Sequence, residues 1–109
     1  MKGFNGNIEE LTVQNNNFRQ VLYTAKHCQL VLMSLPVGGE IGSEVHEEND
    51  QFFRFEAGQG KVLIDGNEYA VSDGSAIIVP AGAEHNVINI GEEPLKLYTI
   101  YSPAHHKDG

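Results

Sequence analysis

The chain has 109 residues, 40% of them apolar, with 15 acidic against 7 basic side chains and a formal charge of −8. That size fits one domain around one core, and that charge repels phosphate backbones and anionic lipid, so neither nucleic acid nor membrane is expected as a partner. A single cysteine, Cys28, excludes an internal disulfide framework and fits a reducing, cytoplasmic interior.

No apolar run approaches the roughly 18 residues of a membrane span, and the opening MKGFNGNIEELTVQNNN lacks the apolar core of a signal peptide. NIEEL, near Asn7, is the one stretch that reads as a helical turn. FRQVLYT, residues 18–24, alternates Phe18, Gln20, Leu22 and Thr24 against Arg19, Val21 and Tyr23, which predicts a strand. Ala25-Lys26-His27 turns into QLVLMSL, residues 29–35, a nearly continuous apolar run that predicts a buried strand ended by Pro36 and Gly38-Gly39. His27 falls in that turn and is expected on the surface; Cys28 is expected as a buried structural thiol.

Short strands then follow at close spacing. SEVH is divided from QFFRFEA by the polar turn EEND. Ala57-Gly58-Gln59-Gly60 turns into KVLID, and Asp65-Gly66 predicts a tight hairpin into EYAVS. Asp73-Gly74 leads to AIIVP, Pro80-Ala81-Gly82 to HNVINI, and Gly91-Glu92-Glu93-Pro94 to LKLYTIY. Eight or nine such strands predict an all-β sandwich or barrel.

Chemistry concentrates in EVHEENDQF, residues 44–52. Side chains alternate along a strand, so Glu44 and His46 share a face, and Gln51 opens the next strand where it can lie across from them. If that face is the inside of a barrel, these donors converge, and His85 can join from a later strand. Two imidazoles, a carboxylate and an amide oxygen suit manganese, iron, nickel or zinc. The residues alone also allow an acidic loop in water, with Glu47, Glu48 and Asn49 a solvated turn and Asp50 facing away from Gln51. By the same alternation Phe53 and Phe55 point inward, with Phe53 a candidate pocket wall, while Arg54 points out toward a salt bridge. HEEND lacks the second histidine of a zincin helix, and no nucleophile-elbow or phosphate-loop pattern is present.

Residues 74–89, GSAIIVPAGAEHNVIN, match the second motif of the cupin superfamily, G-x5-P-x-G-x2-H-x3-N, at Gly74, Pro80, Gly82, His85 and Asn89. Residues 38–58 resemble its first motif, G-x5-H-x-H-x4-E-x6-G, with Glu44 in place of the first histidine and Gln51 in place of the glutamate. The chain thus resembles a small single-domain cupin, a jelly-roll barrel of antiparallel strands spanning residues 1–109, with N-terminal strands over 18–35 and a tail over 102–109. The resemblance implies a metal held by Glu44, His46, Gln51 and His85, a ligand set whose charge remains −1 because the carboxylate has moved from one position to the other. The neutral Gln51 should hold it more weakly than a carboxylate would. It further implies a homodimer, and an enzyme acting on a small oxygen-rich substrate by isomerising a sugar or keto acid or by oxidative cleavage; Glu44, if only loosely held by the metal, can double as general base. A metal-free barrel binding a small ligand is the alternative.

The closing YSPAHHKDG reads as an unpaired tail. Its His105 and His106 follow a strand similar to the last one of small cupins often labelled mannose-6-phosphate isomerase-like. That likeness implies a tail able to fold back over the barrel mouth and add an acid, a base or a ligand.

Overall fold

The computed structural model describes residues 1–106. Nine strands form β1 (Arg19–Thr24), β2 (Gln29–Leu35), β3 (Glu44–Val45), β4 (Asp50–Ala57), β5 (Gln59–Ile64), β6 (Asn67–Ser72), β7 (Ala76–Val79), β8 (Glu84–Asn89) and β9 (Leu95–Ser102) among the described residues. They build two antiparallel sheets, one ordered β1-β2-β9-β4-β7 and the other β3-β8-β5-β6. The protein is all-β apart from one short helix, and its sheets enclose a common core, the jelly-roll form that the cupin resemblance implies within the sandwich-or-barrel class the strand spacing predicts.

Side-chain alternation turns the pairing register into layers. Across the first sheet, Gln29, Tyr101, Gln51 and Val79 form one row, and Val31, Thr99, Phe53 and Ile77 the next. Below them lie Met33, Leu97 and Phe55, then Leu35 and Leu95. The second sheet repeats the gradient, with Glu44, His85 and Ile64 in one row and Val87 beside Val62 in the row beneath. One end of the barrel is therefore packed hydrocarbon, with Phe53, Phe55, Leu35, Leu95, Leu97, Val62 and Val87 fully buried. Polar donors line the other end, the mouth.

The helix, α1 (Ile8–Gln14), is longer than the turn expected at NIEEL. Asn7 caps it by accepting from the Glu10 backbone N–H at 3.1 Å, and Glu9 and Glu10 complement its dipole. It packs on the outer face of the first sheet against β2, β4 and β9. Arg54 does point outward, with Nη2 3.7 Å from Glu56 Oε1; burial pushes the Glu56 carboxyl up.

Three local expectations are corrected. A bulge between Val21 and Tyr23 resets the alternation of β1, so that Thr24, paired with Gln29, joins the inner face of that strand's other set. The turn expected at residues 57–60 shrinks to Gly58, at φ 97°, and β5 already includes Gln59 and Gly60. A Cβ on Gly60 would come within 2.8 Å of Leu95, so this glycine serves close packing rather than turning. Cys28 is exposed, because it closes the β1–β2 turn, where its carbonyl accepts from Ala25 N at 2.8 Å. The Asp65-Gly66 hairpin forms as expected, with both residues at positive φ, 48° and 84°.

Asn89, fixed in the second motif, holds the closed end together. Its Nδ2 lies 3.0, 3.2 and 2.9 Å from the carbonyls of Leu35, Pro36 and Glu93, and its Oδ1 accepts from Gly91 N at 2.9 Å. Asn89→Ala is expected to cost about 2 kcal/mol in urea unfolding while leaving the mouth intact, since it strands buried carbonyls.

Candidate metal centre

Glu44 and His85 sit directly opposite one another on β3 and β8, which sets both side chains on one face. His46 follows β3 and is pinned by its carbonyl, which accepts from Gly82 N at 2.9 Å. The Pro80-Ala81-Gly82 turn thus serves both imidazoles, delivering His85 on β8 and anchoring the His46 backbone. Glu44, His46 and His85 each offer a donor atom, all within 4.8 Å of one another, a cluster that can hold a metal ion.

Their protonation suits that role. The His85 Nδ1 lies 3.0 Å from the Ala83 carbonyl, an acceptor, so Nδ1–H donates there and Nε2 is the ring atom turned to the cluster. Burial, reinforced by His105, lowers the pKa of His46 despite the Glu44 carboxylate beside it. Its 3.7 Å approach to Glu44 is therefore a neutral imidazole beside a carboxylate, not an ion pair. The His46 Nε2 and His85 Nε2 are both buried and lack any hydrogen-bond partner. Orphaned polar atoms of this kind are rare in a folded core, and a metal ion is one partner that would satisfy both of these at once.

Gln51 contributes from the facing sheet. It is buried, its Nε2 donates to Thr99 Oγ1 at 3.0 Å, and its Oε1 is left without a partner. The amide oxygen is thus a third orphaned acceptor. Glu44 is the accessible member, its side chain 42% exposed.

The rest of the acidic stretch divides. Glu47 and Glu48 are exposed, and Asp50 Oδ1 accepts from Ala81 N at 2.9 Å, fixing the Pro-turn. Asn49, expected in a solvated turn, is instead buried and donates to the carbonyls of Pro103 and Ala104. Phe53, the expected pocket wall, lies wholly inside the core as a floor, its ring 6.4 Å from His85 and stacked on Phe55.

The tail is not unpaired. Ser102 belongs to β9, and residues 103–106 fold back across the mouth; residues 107–109 lie outside the described residues. The His105 ring sits 4.2 Å from that of His46 and stacks on Tyr101 at 5.1 Å, and His106 Nε2 lies 3.2 Å from Tyr101 Oη. Burial, together with the Glu44 carboxylate, pushes the Tyr101 phenol up to about 12.

Sequence reasoning gave no site role to Gln29 or Tyr101 and set Asn49 in solvent. Alternation through QLVLMSL could have found Gln29, because it sets that amide on the same inner face as Val31, Met33 and Leu35, where a polar group needs partners.

His106 makes the closed tail sensitive to acid. Burial, with Arg19, His105 and His46 around it, holds its pKa down at about 4, against an ordinary 6.5. A released His106 takes up a proton near 6.5, whereas the seated ring does so near 4, so acid favours release. Closure is expected to be complete above the higher value and lost progressively toward the lower, seen by NMR as lost exchange protection, relative to the intrinsic rate at each pH, at His105 and His106.

Two antiparallel sheets closed around a core, with ligand-type donors on the inner face of the mouth, define a double-sheet β-barrel with an internal site. Residues 31–101 match the Cupin domain family, and the chain belongs to it. It is 50% identical over 114 residues to the uncharacterised protein YrkC of Bacillus subtilis, covering 99% of this chain and 61% of that one. An uncharacterised protein of Acanthamoeba polyphaga mimivirus is 43% identical over 107 residues, covering 94% of this chain and 67% of that one. The chain therefore spans about three fifths to two thirds of the length of these relatives. The crystal structure of BH2720 from Bacillus halodurans superposes with a TM-score of 0.97 at 45% identity, over 99% of this chain and 86% of that one. No described helix is long and apolar enough to cross a membrane.

Proposed function

We propose that this cupin holds one divalent transition metal through Glu44, His46, Gln51 and His85 and uses it on a small oxygen-rich substrate. The observation that carries this reading is the set of three buried, partnerless acceptors, His46 Nε2, His85 Nε2 and Gln51 Oε1, on the two facing walls of the mouth. Manganese, iron, nickel and zinc all suit such mixed nitrogen and oxygen donors. A bound ion supplies Lewis-acid polarisation of a substrate carbonyl or hydroxyl, or redox chemistry if it is iron.

The chain's own groups then divide the work. His46 and His85 supply the two ring nitrogens, the second oriented by Ala83. Gln51 is aimed by its bond to Thr99. Glu44, more open than the histidines, is the member able to take a proton from a carbon or hydroxyl beside it. Phe53 and Val79 close the floor and keep water from entering beneath. Isomerisation of a sugar or keto acid, with Glu44 as the base, uses each of these parts; oxidative cleavage is the variant for iron.

A second reading, a binding or storage barrel without catalysis, is favoured by the tail that covers the mouth with His105 4.2 Å from His46. Water-proton relaxation of the manganese-loaded protein separates the two. Catalysis requires a fast-exchanging water on the ion that a 2-hydroxy acid or a free aldose displaces. No relaxation enhancement, with or without those probes, would leave only the binding barrel.

We further propose that two copies pair through the outer face of the first sheet. There Phe52 and Tyr98 lie ring to ring at 6.2 Å, next to Ile78, 68% exposed. A monomer in light scattering at micromolar concentration would contradict this.

A further inference from the structure

Gln29 is a fully buried amide at the lip of the barrel, and each end of it is occupied. Its Oε1 accepts from the backbone N–H groups of His105 and His106, at 3.1 and 2.8 Å. Its Nε2 donates to the His106 carbonyl at 2.7 Å and to Thr24 Oγ1 at 2.9 Å. Three of its four bonds thus go to the main chain of the folded-back tail. On the far side of the mouth, Asn49 holds the carbonyls of Pro103 and Ala104. Among the described residues, the backbone bonds of 103–106 are made by these two side chains and not by a strand ladder.

We infer that Gln29 is the latch of a C-terminal strap, residues 103–106, that seats His105 and His106 over the candidate metal centre and sets how fast that centre exchanges with solvent. The physical reason is the asymmetry of the strap's attachment. Strands β2, β9 and β4 are tied by continuous ladders through the Gln29, Tyr101 and Gln51 row, so they open with the whole fold. The strap is tied by a few side-chain bonds at a wet rim, where water replaces each bond on opening, so it can lift while the barrel stays folded. An amide suits the latch because one side chain must accept from two N–H groups and donate to a carbonyl at once. Leucine fills the space and does neither. Gln29 touches no donor of the metal cluster; it is a positioning residue acting through His105, whose ring stacks on Tyr101 and meets His46 edge-on.

The latch stands on geometry alone, whereas its control of metal exchange rests on the metal reading, and the test separates them. Amide hydrogen exchange at His105 and His106 is measured by NMR on the metal-free full chain, for the native protein and Gln29→Leu. Release of Co2+ to an excess of chelator is then timed for both. The native strap amides are expected to exchange slowly. Gln29→Leu should bring them close to free-peptide rates, leave Thr99 in β9 protected, and speed Co2+ release on the order of tenfold, the net worth of about one hydrogen bond at an edge where water replaces the rest. Unprotected His105 and His106 amides in the native protein, or equal protection in Gln29→Leu, would overturn the latch. Freed amides with unchanged Co2+ release would overturn the gating, and no Co2+ uptake by the native protein would sink the metal reading while the exchange data still decide the latch. Should Gln29→Leu not fold, Asn49→Ala removes the strap's other pin from a loop and is expected to free the same segment.

Discussion

Replacing His85 with alanine is expected to lower the affinity for Mn2+ or Zn2+ on the order of 100-fold or more, while Glu47→Ala leaves it unchanged. His85 is buried, directly opposite Glu44 on β3, and its Nδ1 is committed to Ala83, so the free Nε2 has nothing to do in the apo-protein. Removing it deletes one of the two imidazoles and leaves His46 and the Gln51 amide oxygen with a part-exposed carboxylate. Glu44→Ala should cost about tenfold, less than His85, because that side chain remains partly solvated when it coordinates. Glu47 carries the same charge three residues away but faces solvent. Calorimetric titration of metal-stripped variants measures the series. Equal losses at all three positions would mean that cations collect on a diffuse acidic surface rather than in a site.

Phe53→Ala is expected to destabilise the protein by about 3–5 kcal/mol in denaturant unfolding. The side chain is wholly buried between Thr99 of β9 on one side and Ile77 of β7 on the other, stacked on Phe55, and alanine leaves a void the ladder-held strands cannot collapse into. The same void opens beneath His85, so metal affinity should fall with stability. A loss below about 1 kcal/mol would mark Phe53 as a wall of an adaptable pocket instead of the floor of a packed core.

Most of the architecture was legible in the sequence because turns are local chemistry. Asp65-Gly66, Asp73-Gly74 and Pro80-Ala81-Gly82 each carry their backbone requirement in two or three residues, and the strands follow between them. Alternation from Gln51 also set Phe53 and Phe55 inward and Arg54 outward, as found. What failed depends on partners distant in sequence. The β1 bulge is decided by pairing with β2, Gly60 by the approach of Leu95, and the exposure of Cys28 by where the hairpin closes. By contrast Glu44, His46 and His85, which the two motifs name together, do meet, through a β3–β8 pairing that two residues of strand alone do not announce. The strap was least legible. Gln29 and Asn49 meet it across 76 and 54 residues of chain, and neither has a composition that marks a ligand.

Whether a metal ion sits at the mouth of the barrel is read most simply by elemental analysis by mass spectrometry. The protein is purified without tag or chelator, and first-row metals are counted per chain before and after incubation with manganese, iron, nickel or zinc. The account predicts uptake approaching one ion per chain, abolished in His85→Ala, with native occupancy short of full because Gln51 is a neutral ligand. No metal as purified and none taken up from any of the four would contradict it and leave a metal-free barrel whose orphaned imidazoles bind something else.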